Sequence, residues 1–284
     1  MNVMNLDSPV HDRKTARGDL LSYARDGATE IAGALENYYV AAVFGWQDVA
    51  QRYRRSRIGA FWLTISVGVM IVTLSFLFGA LFRVPLQEFL PFIATGLILW
   101  TFISTVINEG CTAFIDASGM ILQVRLKLFT HVLRVIWRNV IIFGHNIIVV
   151  PLVMLAVQLA PSPVALLALP GFVILLLNLG WIALLLATLC ARYRDITQAV
   201  QNLMQIAFFV TPIIWMPHSV SERVPEAFLN LNPFYHLITI VREPLLGHAP
   251  SALNWFAALT LAVVGWIVTL IFFGRFGKRV AYWL

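Results

Sequence analysis

Long charge-free stretches alternate along this chain with short charged turns. A helix needs about 20 apolar residues to cross the hydrocarbon of a bilayer. Positions 58–82, between Arg57 and Arg83, and 89–108, between Glu88 and Glu109, meet that length. From 139 to 191 there is no charged residue at all, which is too long for one crossing. Ala160-Pro161-Ser162-Pro163 divides it, because proline stops helices and favours turns. The pattern therefore predicts spans three and four at 139–159 and 164–190, span five at 200–215 and span six at 253–273.

Other segments carry a different rhythm. Residues 1–28 are polar, with mixed charge and no sustained period; they read as a mobile tail, and they lack the apolar core of a signal peptide. Residues 29–57 interleave Ile31, Leu35, Tyr38, Tyr39, Phe44, Trp46 and Val49 with Glu36, Gln47, Asp48 and Arg52 at helical spacing. That suits an amphipathic helix lying in the membrane interface. In 116–138, Leu122, Leu126, Phe129, Leu133 and Ile136 recur at intervals of three and four among Arg125, Lys127, His131, Arg134 and Arg138, which predicts an amphipathic helix bending into span three.

Composition makes lipid the main solvent. Of 284 residues, 60% are hydrophobic and 12% charged, against about 25% charged in an ordinary soluble domain. The net charge of +6 is then a matter of membrane orientation rather than nucleic-acid binding. Seventeen of the 20 Lys and Arg residues fall before span one, after spans two, four and six; three fall in the alternate loops. The bias predicts both termini in the cytosol. The expected fold is all-α: a polytopic membrane protein of six transmembrane helices over 58–284, an interface helix at 29–57, and an outer loop between spans five and six. In that loop two short apolar stretches flank Asn232-Pro233. Each is too short to cross, so the loop is expected to be re-entrant and to border a pathway.

The candidate chemistry is sparse. No Gly-x-x-x-x-Gly-Lys-Ser/Thr loop occurs, so the chain is expected to hold no nucleotide. The six histidines lack ligand spacing and no metal site is expected; Cys111 and Cys190 sit in apolar runs and read as inert thiols. Ion-coupled carriers bury ionisable groups in their spans. Here His145 is the one candidate, and it reads as a histidine bonded to a neighbouring helix. Any uphill work must then enter through a surface. Two charged segments are placed to receive it: the one bearing Arg125 and Lys127, and the turn Arg192-Tyr193-Arg194-Asp195-Ile196. Aromatic rings stack on sugar faces, so Tyr39, Phe61, Trp62, Trp100 and Phe102 are candidates to line a polysaccharide conduit, with interface belts or lipid-facing packing the competing role.

Taken in order, these residues resemble a known family. Arg52-Tyr53-Arg54-Arg55-Ser56-Arg57-Ile58-Gly59-Ala60-Phe61-Trp62 resembles the entry to the first span of type-2 ABC exporter permeases, and Arg192–Ile196 their second coupling loop. Thr211-Pro212-Ile213-Ile214-Trp215, Asn232-Pro233-Phe234-Tyr235-His236-Leu237 and Arg242 with Pro244-Leu245-Leu246-Gly247 look like the O-antigen polysaccharide branch. The resemblance implies a homodimeric bacterial inner-membrane permease with two copies of a separate ATPase. ATP and magnesium would sit on the ATPase, and the cargo would be a polysaccharide on undecaprenyl pyrophosphate. It implies coupling through Arg192, Arg194 and Asp195, to which the charge reading adds Arg125 and Lys127. Arg52, Arg54, Arg55 and Arg57 would attract the pyrophosphate, with anionic lipid as the rival partner; on the re-entrant reading of the outer loop Asn232, Pro233, Arg242 and Glu243 would form an outer gate, with an exterior cap that does not gate as the alternative. Capsule polysaccharide or teichoic acid export shares the layout. A membrane enzyme acting on a lipid-linked sugar or a passive channel stands further off.

Overall fold

The computed structural model describes residues 19–54, 61–160, 162–217 and 225–284, and every regular element among them is helical. Five helical segments are long and apolar enough to cross a membrane. They are built on α3 (Phe61–Phe82), α4 (Leu86–Asp116), α6 with α7 (Leu128–Asn146 and Val149–Ala156), α8 (Ala168–Arg192, after a 3-10 turn at Pro163–Leu167) and α12 (Ala252–Phe276). The helix at the expected fifth span, 200–215, begins and ends five residues earlier than predicted. Helix α9 (Asp195–Val210) stops at Thr211, because a residue before proline is driven out of helical geometry and Pro212 offers no N–H. At 1.5 Å per residue α9 is about 24 Å long, short of a hydrocarbon core of about 30 Å.

Helix α4 is the axis of the bundle. It packs against α3, α6, α7, α8, α9 and α11 (Pro233–Leu245), and Phe89, Ile93, Ala94, Leu99, Ile103, Val106 and Phe114 are fully buried. Helix α3 is its opposite: Ile71 and Ser75 are buried, while Trp62, Ile65, Val69, Val72, Phe76 and Leu81 are exposed. Packing between α8 and α12 is reciprocal. Trp181 lies where a Cβ on Gly265 would stand, and Trp266 lies over Gly180. Trp266 Nε1 donates to the Leu177 carbonyl at 3.0 Å, and Asn178 Nδ2 to the Ala258 carbonyl at 3.1 Å. Small residues let bulky ones seat without a hydrophobic driving force between helices.

The amino-terminal region departs from expectation. It forms two helices, α1 (Leu20–Glu36) and α2 (Tyr38–Tyr53), broken at Asn37. The boundary expected at residue 28 thus falls inside a helix. One face of each is committed to protein, α1 to α12 and α2 to α6, while Leu21, Leu35, Tyr38, Tyr39, Val43 and Trp46 stay exposed. The single amphipathic helix expected over 116–138 is also broken. Short α5 (Ser118–Gln123) ends at an extended Val124, and α6 starts after Lys127, which is extended as well. An acceptor from α1, described below, fixes that new start.

Gly274 tests the α1–α12 contact. A Cβ there would overlap the Tyr23 carbonyl oxygen, and backbone cannot step aside. We expect Gly274→Val to destabilise the detergent-solubilised chain by about 2–3 kcal/mol. Gly68→Ala, with open space around it, should be neutral or stabilising by up to about 1 kcal/mol. Thermal melting followed by size-exclusion chromatography separates the two.

Candidate functional site

Four regions of the molecule bear on function, beginning at its basal end, where α1, α5, the end of α8 and the carboxyl terminus meet. Helix α13 (Val280–Trp283) touches both α5 and α8. The two segments expected to receive an external motor therefore flank one short helix. Arg125, Lys127, Arg192, Arg194 and Asp195 are all exposed. Arg192 lies 5.4 Å over the Trp283 ring and 5.0 Å over Tyr193. Asp195 begins α9, where the helix dipole favours a carboxylate. Glu30 of α1 accepts from the Leu128 N–H at 2.8 Å and from Lys127 Nζ at 3.1 Å. It satisfies a free donor at the start of α6 and holds the Arg125–Lys127 link against α1.

A second region, between α2, α4 and α6, is an ionic cluster that the sequence reading did not single out. Asp48 accepts from Arg134 Nε at 2.7 Å, with Arg134 Nη2 on its other oxygen, and from Arg138 Nη1 at 2.9 Å. Glu109 of α4 accepts from Arg138 Nη2 at 2.7 Å and Asn139 Nδ2 at 2.6 Å, with Arg52 3.6 Å away. Burial alone would raise the Asp48 pKa, but hydrogen bonds and charge from Arg134 and then Arg138 more than offset it, leaving the carboxyl below its ordinary value. The spacing of Arg134 and Arg138 was visible as one helical face; that Asp48 on another helix meets it was not. Arg52 thus faces Glu109 while Arg54 is exposed; Arg55 and Arg57 lie outside the described residues.

The conduit aromatics divide. Tyr39 and Trp62 are exposed, and the Phe61 side chain lies outside the described set. Trp100 and Phe102 are buried in the subunit's own core. Trp100 packs 5.5 Å from Phe234 and 5.9 Å from Phe208; Phe102 packs 5.0 Å from Phe143 and 5.6 Å from Phe172. Both sit on α4, which neighbours enclose. A third polar feature compensates. On α9, Gln198, Asn202 and Gln205 are exposed and Gln201 half-exposed, spaced three and four apart so that they form one stripe. Gln198 Nε2 donates to Asn202 Oδ1 at 3.2 Å. Uncharged amides facing lipid tails carry a desolvation cost, so such a stripe suits water or another subunit. His145 is half-buried, and its Nδ1 lies 2.8 Å from the Ile141 carbonyl of its own helix.

The fourth region is the opposite end. Two short helices do flank Asn232-Pro233: α10 (Glu226–Asn230) and α11. Asn232 caps α11 by accepting from the Phe234 and Tyr235 N–H groups, with Pro233 in the first turn. His236 lies within hydrogen-bond distance of Asn254 Oδ1 (2.7 Å) and the Asn230 carbonyl (2.9 Å), joining α10, α11 and α12. Arg242 is 1% exposed. Its Nη1 donates to the Pro212 carbonyl at 2.7 Å and its guanidinium covers Phe92 at 4.1 Å, with Glu243 Oε1 3.8 Å from Nε. A cavity of about 360 Å³ lies beside it, bordered by Phe92, Leu159, Met216, Tyr235, Glu243 and His248.

An apolar bundle with a charged basal surface and a buried return at the other end describes a membrane transporter subunit. The chain belongs to the ABC-2 type transporter family, whose profile matches residues 40–246. It is similar to the O-antigen export system permease protein RfbA of Myxococcus xanthus, 26% identical over 235 residues that cover 81% of this chain and 89% of that protein. It is also similar to RfbA of Klebsiella pneumoniae, 24% identical over 241 residues covering 82% and 88%.

The ionic cluster predicts an acid-labile contact. Because the Asp48 pKa is lowered on folding, its contribution is full above the unfolded value near 3.8 and is lost as pH falls through the folded value. Asp48→Asn leaves Arg134 and Arg138 without that carboxylate, at an expected cost of about 3 kcal/mol near neutral pH. Melting curves at pH 7 and below pH 4 should show the gap between wild type and variant closing in acid.

Proposed function

We propose that this chain is the membrane subunit of an ATP-driven exporter that moves undecaprenyl-pyrophosphate-linked O-antigen polysaccharide across the bacterial inner membrane, as a homodimer served by two copies of an ATPase. ATP and magnesium belong to that partner. The names of the relatives support the cargo, and the family supports the transport role. The observation that carries the reading is the exposed amide stripe of α9. A conduit for a hydroxyl-rich polymer needs neutral groups that donate and accept. Gln198, Gln201, Asn202 and Gln205 supply them on a helix that buries only Met204 in its own subunit. The equally uncovered α3 offers the adjoining wall, with Trp62 and, along the entry path, Tyr39.

In this reading α9 and the irregular 211–216 together make the fifth crossing, which brings the number to six. Helices α8 and α12 run parallel, with Asn178 paired to Ala258 and Trp181 to Thr269, which supports a return of the chain between them. Both termini and the basal surface face the cytosol, in keeping with the Lys and Arg bias. The exposed apolar side of α1 and α2 lies in the interface, and α11, about 20 Å long, re-enters the bilayer as part of an outer gate with Asn232, Pro233, Arg242 and Glu243. Arg52 and Arg54, with Arg55 and Arg57, draw the pyrophosphate to the entry. Arg125, Lys127, Arg192, Arg194 and Asp195 receive the ATPase.

The test uses cells that depend on this permease for surface polysaccharide, with the ATPase that copurifies. Gln198→Leu, Gln201→Leu and Gln205→Leu combined should lower surface polymer at least about tenfold, a barrier increase of about 1.4 kcal/mol, while complex assembly and ATP hydrolysis persist. Arg192→Ala with Arg194→Ala should lower both hydrolysis and export. Wild-type export by the leucine variant would refute the conduit, and failure of any ATPase to copurify would refute the exporter.

A further inference from the structure

Helix α9 is one unbroken rod from Asp195 in the basal turn to Val210. At its far end Thr211, Pro212 and Ile213 are buried. Two side chains of the outer return grip that end. Asn232 Nδ2 donates to Thr211 Oγ1 at 3.0 Å, while the same residue's Oδ1 caps α11. Arg242 Nη1, from near the other end of α11, donates to the adjacent Pro212 carbonyl at 2.7 Å. Proline creates this attachment point twice over: it ends the helix, and the extended Thr211 turns its side chain and the next carbonyl toward α11. Elsewhere α9 buries only Met204, whereas α4, α8 and α12 interlock.

We propose that Thr211 and Pro212 form a latch through which displacement of the basal turn 193–195 is delivered along α9 to α11, with Asn232 and Arg242 as its positioning residues. The proposal rests on the exporter reading above. A stiff, lightly packed helix fastened at both ends moves as a unit, and the frame beside it does not follow. The Arg242 guanidinium is suited to a contact that changes. Its Nε has no hydrogen bond among the described residues and Glu243 stands at 3.8 Å, longer than a charge-assisted bond of about 2.7–2.9 Å. The neighbouring cavity of about 360 Å³ gives α11 room. One turn thereby communicates with the opposite end through two hydrogen bonds to consecutive residues.

The experiment places a reporter on the outer return in the assembled permease–ATPase complex. His248, with its side chain 73% exposed, is replaced by cysteine; Cys111 and Cys190 are buried. Labelling by a membrane-impermeant maleimide is timed without nucleotide and with ATP trapped by vanadate. With otherwise native sequence, the two rates should differ several-fold. Adding Thr211→Val, which keeps shape and the Asn232 cap but removes the acceptor, should bring the ratio close to one while ATP hydrolysis continues; Thr211→Ser should restore it. Arg242→Gln is the second, independent variant and should act in the same direction. A ratio that survives in an assembled Thr211→Val or Arg242→Gln complex overturns the latch and leaves the exporter reading standing. A ratio of one in the otherwise native complex overturns the latch whatever the export; export absent from that complex as well overturns the reading too.

Discussion

Lipid offers backbone groups no hydrogen-bond partners, and that constraint organises this molecule. Wherever the chain leaves helical geometry at membrane depth, protein must cover it. The break at Thr211-Pro212 obeys the rule: its side chain and carbonyl are taken up by Asn232 and Arg242, and its surroundings by α4 and α11. The segment bearing α10 and α11 is therefore more than a connection between α9 and α12. It completes the solvation of the neighbouring helix end, so the two cannot be altered separately.

The ionic groups follow from the same physics. Asp48, Glu109, Arg134 and Arg138 are half-buried and bonded to one another across three helices. Buried charges persist only when paired, and these hold α2 to the bundle while its outer face stays apolar and exposed. Glu30 does comparable work for α1 at the start of α6. The amino-terminal helices are thus fastened by polar contacts on one side and leave apolar side chains exposed on the other.

How much of this was legible in the sequence depended on the range of the interaction. Crossings bounded by charge, such as 164–190 and 253–273, appear within a few residues of α8 and α12, because length and apolarity are local properties. Asn232-Pro233 as a helix start was legible for the same reason, since its cap and its first-turn proline are adjacent. Val210 as the end of α9 was signalled by Pro212 and was passed over in favour of hydropathy. The break at 124–127 had no proline or glycine to mark it; it depends on Glu30, nearly a hundred residues away. The burial of Trp100 and Phe102 was not legible, because composition cannot tell the enclosed axis of a bundle from its rim. The α9 amides were equally hidden in a run that scored as a crossing.

Those amides carry a consequence for evolution of the cargo. Glutamine and asparagine hold no charge and rotate freely, so they meet any hydroxyl, acetamido or ring oxygen with similar, shallow preference. A path lined this way has no register to match against a repeating unit. If the proposed conduit is correct, bacteria can exchange the sugars of their surface coat without rebuilding this helix, and discrimination between polymers must rest with components that act before the chain enters.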